Sequence, residues 1–337
     1  MPAATTRIIV CEPSPTSGAL CSMVKFSPSA SSRARAVAPP IDEPRRSEKG
    51  EMAASWQRLG NAAGCAGIGV NRVRIDSDRL STPPHSHGAS EEIVFVLDGS
   101  GFSWQDEQVY ELRPGDCVVH LADQEEHTLR GGPEGLDVLI YGTRHPTELG
   151  WLPRSRAIRL GWPWVEGRTD DPWDVEAQAE PLTFGEPAAR PKNIVNIDEA
   201  EAEEWQDGDC GGICRFLGRE AGAMRTGMRH EVVPEGKLNC PPHCHAAEEE
   251  FFVVLDGEGT CLLGDEEHPV HRGSVLGRPP GTGIAHAFRG PLTLLTYGTR
   301  EPNEICYYPR SNKIGFFGVG VIGRIEKLDY WDGEPPA

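Results

Sequence analysis

The chain writes one long pattern twice. "PPHSHGASEEIVFVLDG", from Pro83 to Gly99, returns as "PPHCHAAEEEFFVVLDG" from Pro241 to Gly257, at an offset of 158. Further along, "YGTRHPTELGWLPRS" (141–155) returns as "YGTREPNEICYYPRS" (297–311), now at an offset of 156. Between these, "LRPGDCVVHLADQEEHTLRGG" (112–132) answers "HRGSVLGRPPGTGIAHAFRG" (271–290). Agreement at three separated places identifies a tandem duplication, and the drift in offset places small insertions in loops. A chain of 337 residues is long enough for two such domains.

Each copy is a series of short apolar runs. In the first, "GIGVNRVRI" (67–75), "IVFVL" (93–97), "GFSWQ" (101–105), "QVYEL" (108–112), "CVVHL" (117–121), "HTLRG" (127–131) and "LDVLIYG" (136–142) read as strands. Asp-Gly, Pro-Gly and Gly-Gly-Pro separate them, which is turn chemistry. Many short strands at regular spacing predict an all-β sandwich or small barrel in each half, with little helix. The boundaries follow: an N-terminal tail over 1–52, a first barrel over 53–150, a connector over 151–191 and a second barrel over 192–337. The tail is rich in Ser, Ala, Pro and Arg without periodicity, and is expected to be disordered and dispensable. Trp162, Trp164 and Trp173 are expected to pack the connector onto a barrel.

The net charge of −18 is uneven. Residues 1–50 carry seven Lys/Arg against four Asp/Glu, or +3, which leaves −21 for the rest. So acidic a body repels phosphate backbones and argues against nucleic-acid binding. No apolar stretch approaches the ~20 residues of a membrane span, and "RIIVC" is too short for a signal-peptide core. Ten cysteines without a Cys-x-x-Cys pattern are expected to be reduced thiols in a cytoplasmic protein.

The repeated motif carries the chemistry. Residues two apart on a strand face one way, so His85 and His87 share a face, as do His243 and His245. Neutral imidazoles are good ligands for Fe, Mn, Ni, Cu and Zn, and a carboxylate suits Fe(II) or Mn(II). Glu92 and Glu250 are assigned as that carboxylate, each five residues after the second His and seven before the motif Gly. Their neighbours Glu91 and Glu249 then face out or meet a basic partner. A third histidine from another strand would close each set, and His127 and His286, each beyond the next strands, are the candidates. His120, His145, His230, His268 and His271 are read as structural or solvated.

His-x-His, four residues, Glu, six residues, Gly resembles the first motif of the cupin superfamily, and "GSVLGRPPGTGIAH" resembles its second. The likeness covers roughly 60–330, both halves, and is that of a bicupin similar to bacterial two-cupin proteins. It implies two jelly-roll β-barrels, each holding one divalent transition metal through three His and one Glu: His85, His87, Glu92, His127 and His243, His245, Glu250, His286. The first copy departs from the second motif, for Glu125-Glu126 precede His127 where a Pro-Gly turn would stand. The ion is expected to be Fe(II) or Mn(II), ahead of Ni or Zn. Four protein ligands on an octahedral ion leave two positions for a small polar or phenolic substrate and dioxygen, the arrangement of a dioxygenase or decarboxylase. A non-catalytic binding or storage protein and a metal-dependent isomerase or lyase are the alternatives. Activity is expected to follow the second centre, whose Pro279-Pro280-Gly281 turn is the more regular. Cupin barrels often pair, so either a homodimer or a dimer-like contact within the chain is expected.

Overall fold

The computed structural model describes residues 7–11, 21–24, 44–160, 171–328 and 332–333. Strands make up 54% of the described residues and helix 6%, so the all-β expectation holds. Trp162 and Trp164 lie outside the described residues. No helix among those residues is long and apolar enough to cross a membrane.

Each half is built around a 14-residue central strand, Glu92–Gln105 in the first barrel and Glu250–Leu263 in the second. Around the first, the sheet runs in the order Ile194–Asn196, Asp116–His120, Glu92–Gln105, His127–Thr143, Ile68–Ile75, Met52–Gln57, Arg45–Lys49. The second repeats that order with Ser274–Arg278, Glu250–Leu263, Leu292–Thr299, Thr226–Val233, Cys210–Arg215 and Glu203–Asp207. The first-copy strands predicted from sequence fall on observed ones, with Gly101–Gln105 continuing the central strand and His127–Gly142 forming one long strand. After the motif Asp, Gly99 and Gly257 adopt φ of 82° and 87°. A Cβ at either would lie 2.3 or 2.5 Å from a facing carbonyl, so only glycine fits the turn.

Period-two alternation explains why the central strands are apolar on both faces. Val94 and Val96 point into the first barrel with Val73, Val118, Leu129 and Val138. Ile93 and Phe95 point the other way, into a seam where the barrels meet through Tyr141, Phe251, Val253 and Tyr297. Tyr141 stacks on Tyr297 with ring centroids 4.8 Å apart. A dimer-like contact therefore exists inside one chain. Each large apolar side chain buried there contributes about 1.5–3 kcal/mol.

The same alternation corrects the expectation for Glu91 and Glu249. Both are 2% exposed, and they lie in the seam rather than facing out. Glu91 accepts from the Met224 and Arg225 amides at 2.9 and 3.1 Å and from the Thr226 hydroxyl. Glu249 accepts from the Ala66 and Gly67 amides at 2.8 and 2.6 Å. Each carboxylate thus caps a loop of the opposite barrel, with backbone amides in place of the basic partner.

The tail also differs from its expectation. Arg45–Lys49 is the outer strand of the first sheet, so that domain begins before residue 53. Arg7–Cys11 pairs with Ser274–Arg278, Ile8 opposite Leu276 and Ile9 opposite Val275. Ile194–Asn196 pairs with the equivalent strand of the first barrel in the same register, Ile194 opposite Val118 and Val195 opposite Cys117. Each barrel's edge is covered by the segment that leads into the other barrel. Short β-branched runs suffice for this because the exposed ladder groups of an edge strand accept any extended partner. Cys21–Val24 pairs in turn with Arg7–Cys11, and tail residues 1–6, 12–20 and 25–43 lie outside the described set.

Candidate metal centres

In each barrel the structure gathers the four residues singled out from sequence. Ligand atoms of His85, His87, Glu92 and His127 lie within 4.8 Å of one another, and so do those of His243, His245, Glu250 and His286. Pairing of distant backbone segments brings this about. His85 and His127 exchange amide–carbonyl bonds of 3.1 and 2.9 Å, and His243 and His286 exchange bonds of 3.2 and 2.8 Å. His87 and His245 sit on two-residue strands held by Leu149–Leu152 and Ile305–Tyr308. Glu92 and Glu250 open the central strands on the barrel-facing phase.

The Nδ1 side of most rings is committed, which leaves Nε2 for the centre. His85 Nδ1 meets the Pro83 carbonyl at 3.0 Å, and His243 Nδ1 meets the Pro241 carbonyl at 2.9 Å. His87 Nδ1 meets Glu148 at 3.2 Å, and His245 Nδ1 meets Glu304 at 3.0 Å. These two carboxylates also gather their loops, Glu148 through the Gly88 and Ser90 amides and Glu304 through the Ala246, Ala247 and Glu248 amides. Carboxylates behind ligand imidazoles fix tautomer and orientation. The sequence contained a signal for them, because both copies of the "YGTR" motif keep this Glu.

The inner atoms face only one another. His87, His127, His245 and His286 Nε2 and Glu250 Oε2 are buried, and no group outside their own cluster satisfies them. Such groups are costly unless something satisfies them. In the second centre His245 and His286 Nε2 approach Glu250 at 3.0 and 2.8 Å, whereas the equivalent distances to Glu92 are 3.7 and 3.6 Å. Burial pushes His85 and His286 down to about 3 and His127 to about 4, so these rings are neutral at pH 7. Burial acts on His87 and His245 too, but their flanking carboxylates outweigh it and raise them to about 9 and about 10. Burial would raise Glu92 and Glu250, yet the facing imidazoles hold both well below the usual carboxylate range. Three imidazoles and an ionised carboxylate converging on one buried point fit a divalent transition ion in each barrel.

Sequence reasoning gave no role at this centre to His120. It lies 1% exposed, directly across the strand pair from Glu92. Its ring stacks on His127 at 3.8 Å and 7°, and Glu125 holds its Nδ1 at 2.8 Å. The two ring planes are parallel, and ligand atoms of His120, Glu125 and His127 lie within 4.8 Å of one another beside the four-residue cluster. His120 forms a wall behind His127. A cavity of about 460 Å³ reaches His85, His87 and Glu92 from outside the barrel, with Trp173 of the connector on its wall.

Comparison with known proteins agrees with this architecture. The family model described as a cupin domain matches residues 71–132 and again 229–297. Procruciferin, an 11S globulin of Brassica napus, is similar at a TM-score of 0.54 and 15% identity, over 80% of this chain and 85% of that one. Oxalate decarboxylase of Bacillus subtilis is similar at 0.50 and 11%, over 77% and 74%. A sugar phosphate isomerase of the cupin superfamily from Silicibacter pomeroyi gives 0.33 and 28%, over 35% and 80%. No curated protein sequence matches the chain. Two matches to one domain model, falling on two barrels of the same strand order, make the chain a bicupin of the cupin superfamily.

Proposed function

We propose that the chain is a metal-dependent enzyme of dioxygenase or decarboxylase type, with its reaction at the first barrel's centre. The observation that carries this is the cavity of about 460 Å³ bordered by His85, His87 and Glu92, which gives a small molecule a way to the ligands. Fe(II) or Mn(II) bound there would supply Lewis acidity and redox chemistry beside its open positions. The chain's own residues prepare the site. Glu148 holds the proton of His87 on Nδ1 and turns Nε2 inward. His120, backed by Glu125, keeps the His127 ring in place. Pro83, Leu152 and Trp173 line the cavity and keep water from part of its wall. This moves the expected activity from the second centre to the first.

The test is metal analysis with oxygen uptake and product analysis on catechols, flavonols, β-diketones and oxalate. Turnover by the metal-loaded protein, lost in Glu92→Ala and retained in His245→Ala, is the expected result. A protein that loads no metal on reconstitution, or turns over equally without its first centre, would remove this reading.

A further inference from the structure

The duplication carries one residue more than its metal motifs. Asp171-Pro172-Trp173-Asp174 returns as Asp329-Tyr330-Trp331-Asp332, at the same offset of 158 that relates the ligand motifs. Of the eight tryptophans, Trp173 and Trp331 alone match across the copies. Trp162 and Trp164 of the same connector meet Gly320 and Ile322 at that offset. Packing alone tolerates exchange among apolar residues of similar size, so the retention of this one indole needs another reason.

In the first copy Trp173 lines the cavity together with His85 and His87. It belongs to the short helix Pro172–Glu176, which Asp171 caps by accepting from the Trp173 amide at 3.0 Å. Lys49 bridges Asp171 and Asp174 at 3.0 and 2.5 Å, and Glu176 accepts from the Ser155 amide at 2.8 Å. The indole is therefore carried on a pinned element. Its own ring is uncommitted: only the backbone of Trp173 is hydrogen-bonded, and among the described residues no aromatic ring packs on the indole.

The polar side chains of the same wall serve the protein itself. Ser90 donates to the Thr143 carbonyl at 2.8 Å, and Arg144 to the Cys65 carbonyl at 3.3 Å and the Asn61 side chain. His145 Nδ1 accepts from the Thr147 amide at 3.3 Å, Glu148 holds His87, and Arg159 has a partner of its own. A hydroxyl-rich ligand needs several free donors and acceptors to orient it. An aromatic ring needs a face, and an indole supplies one.

We infer that Trp173 is the platform for the substrate's ring, so that the first centre takes a phenolic molecule rather than a polyhydroxylated or aliphatic one. The ring lies against the indole, with its hydroxyl toward His85, His87 and Glu92. The inference rests on the first centre being the active site, and it narrows the substrate of that reading to one class.

The probes are phenol and cyclohexanol, which share a hydroxyl on a six-carbon ring and differ in planarity and π-electrons. Ligand-observed NMR titration of each into the metal-loaded full-length chain gives the affinities. Wild type binds phenol about two- to tenfold more tightly than cyclohexanol, the range for one aromatic pair beyond its buried area. Trp173→Leu removes that preference, Trp173→Phe keeps most of it, and metal content stays at the wild-type value in both. Equal phenol affinity in wild type and Trp173→Leu, or no preference for phenol in wild type, would overturn the proposal. So would a preference that survives Trp173→Leu and disappears in Trp331→Leu, which would move the ring site to the other copy. A phenol preference lost in Trp173→Leu, in a protein that turns over no phenol, would strike the enzyme reading and leave the platform standing.

Discussion

Across the strand pair from Glu92 stands His120, and across from Glu250 stands Arg278. Glu125 lies two residues before His127 and holds His120, whereas Ile284 lies two before His286 and gives its carbonyl to Arg278. Beside Glu250 the second barrel adds Arg229 at 3.6 Å, and the Tyr308 ring lies 5.6 Å from His243. The first barrel has Asn71 and Leu152 at those places. Duplication thus kept the four candidate ligands and the Glu behind one of them, while the surroundings diverged. In the second centre an arginine shares the carboxylate and an aromatic ring packs on a ligand. In the first, a cavity and a stacked imidazole surround the same set. Identical ligands do not make identical centres, because field and access come from neighbouring residues.

The sharpest way to break this comparison is to empty one centre at a time. The double variant His87→Ala, Glu92→Ala should reduce the metal content from two ions per chain to one and abolish turnover. His245→Ala should also leave one ion, yet keep most of the activity. Mass spectrometry of the metals with parallel rate measurements checks both. Two ions retained in the first variant would mean that the first centre lies elsewhere.

The seam tests whether the centres share one fold. Phe251→Ala should cost about 3–5 kcal/mol, the usual range for a buried aromatic, and should destabilise both barrels in a single urea transition. Two separate transitions, with the first barrel unmoved, would show that the barrels are independent.

The carboxylates behind the histidines should behave alike. Glu148→Gln and Glu304→Gln should each weaken metal binding about 10–100-fold at their own centre only. Competition with a chromophoric chelator measures this. An effect confined to one of the pair would end the equivalence.

Proton release sharpens the comparison further. Below about 9 the His87 ring, and below about 10 the His245 ring, holds a proton that an incoming ion must displace. The other ligands are already deprotonated at neutral pH, so each ion should release about one proton. Apparent affinity should climb with pH by up to about tenfold per unit, then level off above those values. Calorimetry in buffers of different ionisation enthalpy counts the protons.

The smallest expected effect is that of His120→Ala. It should alter the Co(II) absorption spectrum of the first centre and weaken that ion a few-fold, with the second centre unchanged. His120→Phe, which keeps a stacked ring, should recover most of the spectrum. An unaltered spectrum in His120→Ala would remove its positioning role.

Much of the molecule was legible in the chain because it is written in short range. The duplication is a comparison of the sequence with itself. Strand periodicity and glycines held at positive φ are local, and His85, His87 and Glu92 fall within eight residues. Tertiary structure decided what depends on remote partners. Glu91 and Glu92 are adjacent, and their types alone do not say that one faces a metal-type centre and the other the amides of Met224 and Arg225, more than 130 residues away. Glu148 reaches His87 over 61 positions. His120 reads as an ordinary strand histidine until the sheet sets it opposite Glu92 and the barrel stacks it on His127. Even the tail's "RIIVC" needed the second barrel's edge to become a strand. Local spacing brought together three of the four candidate ligands in each half, His85, His87 and Glu92 and their counterparts. Burial, orientation and access were decided by long-range strand pairing, which local spacing does not encode.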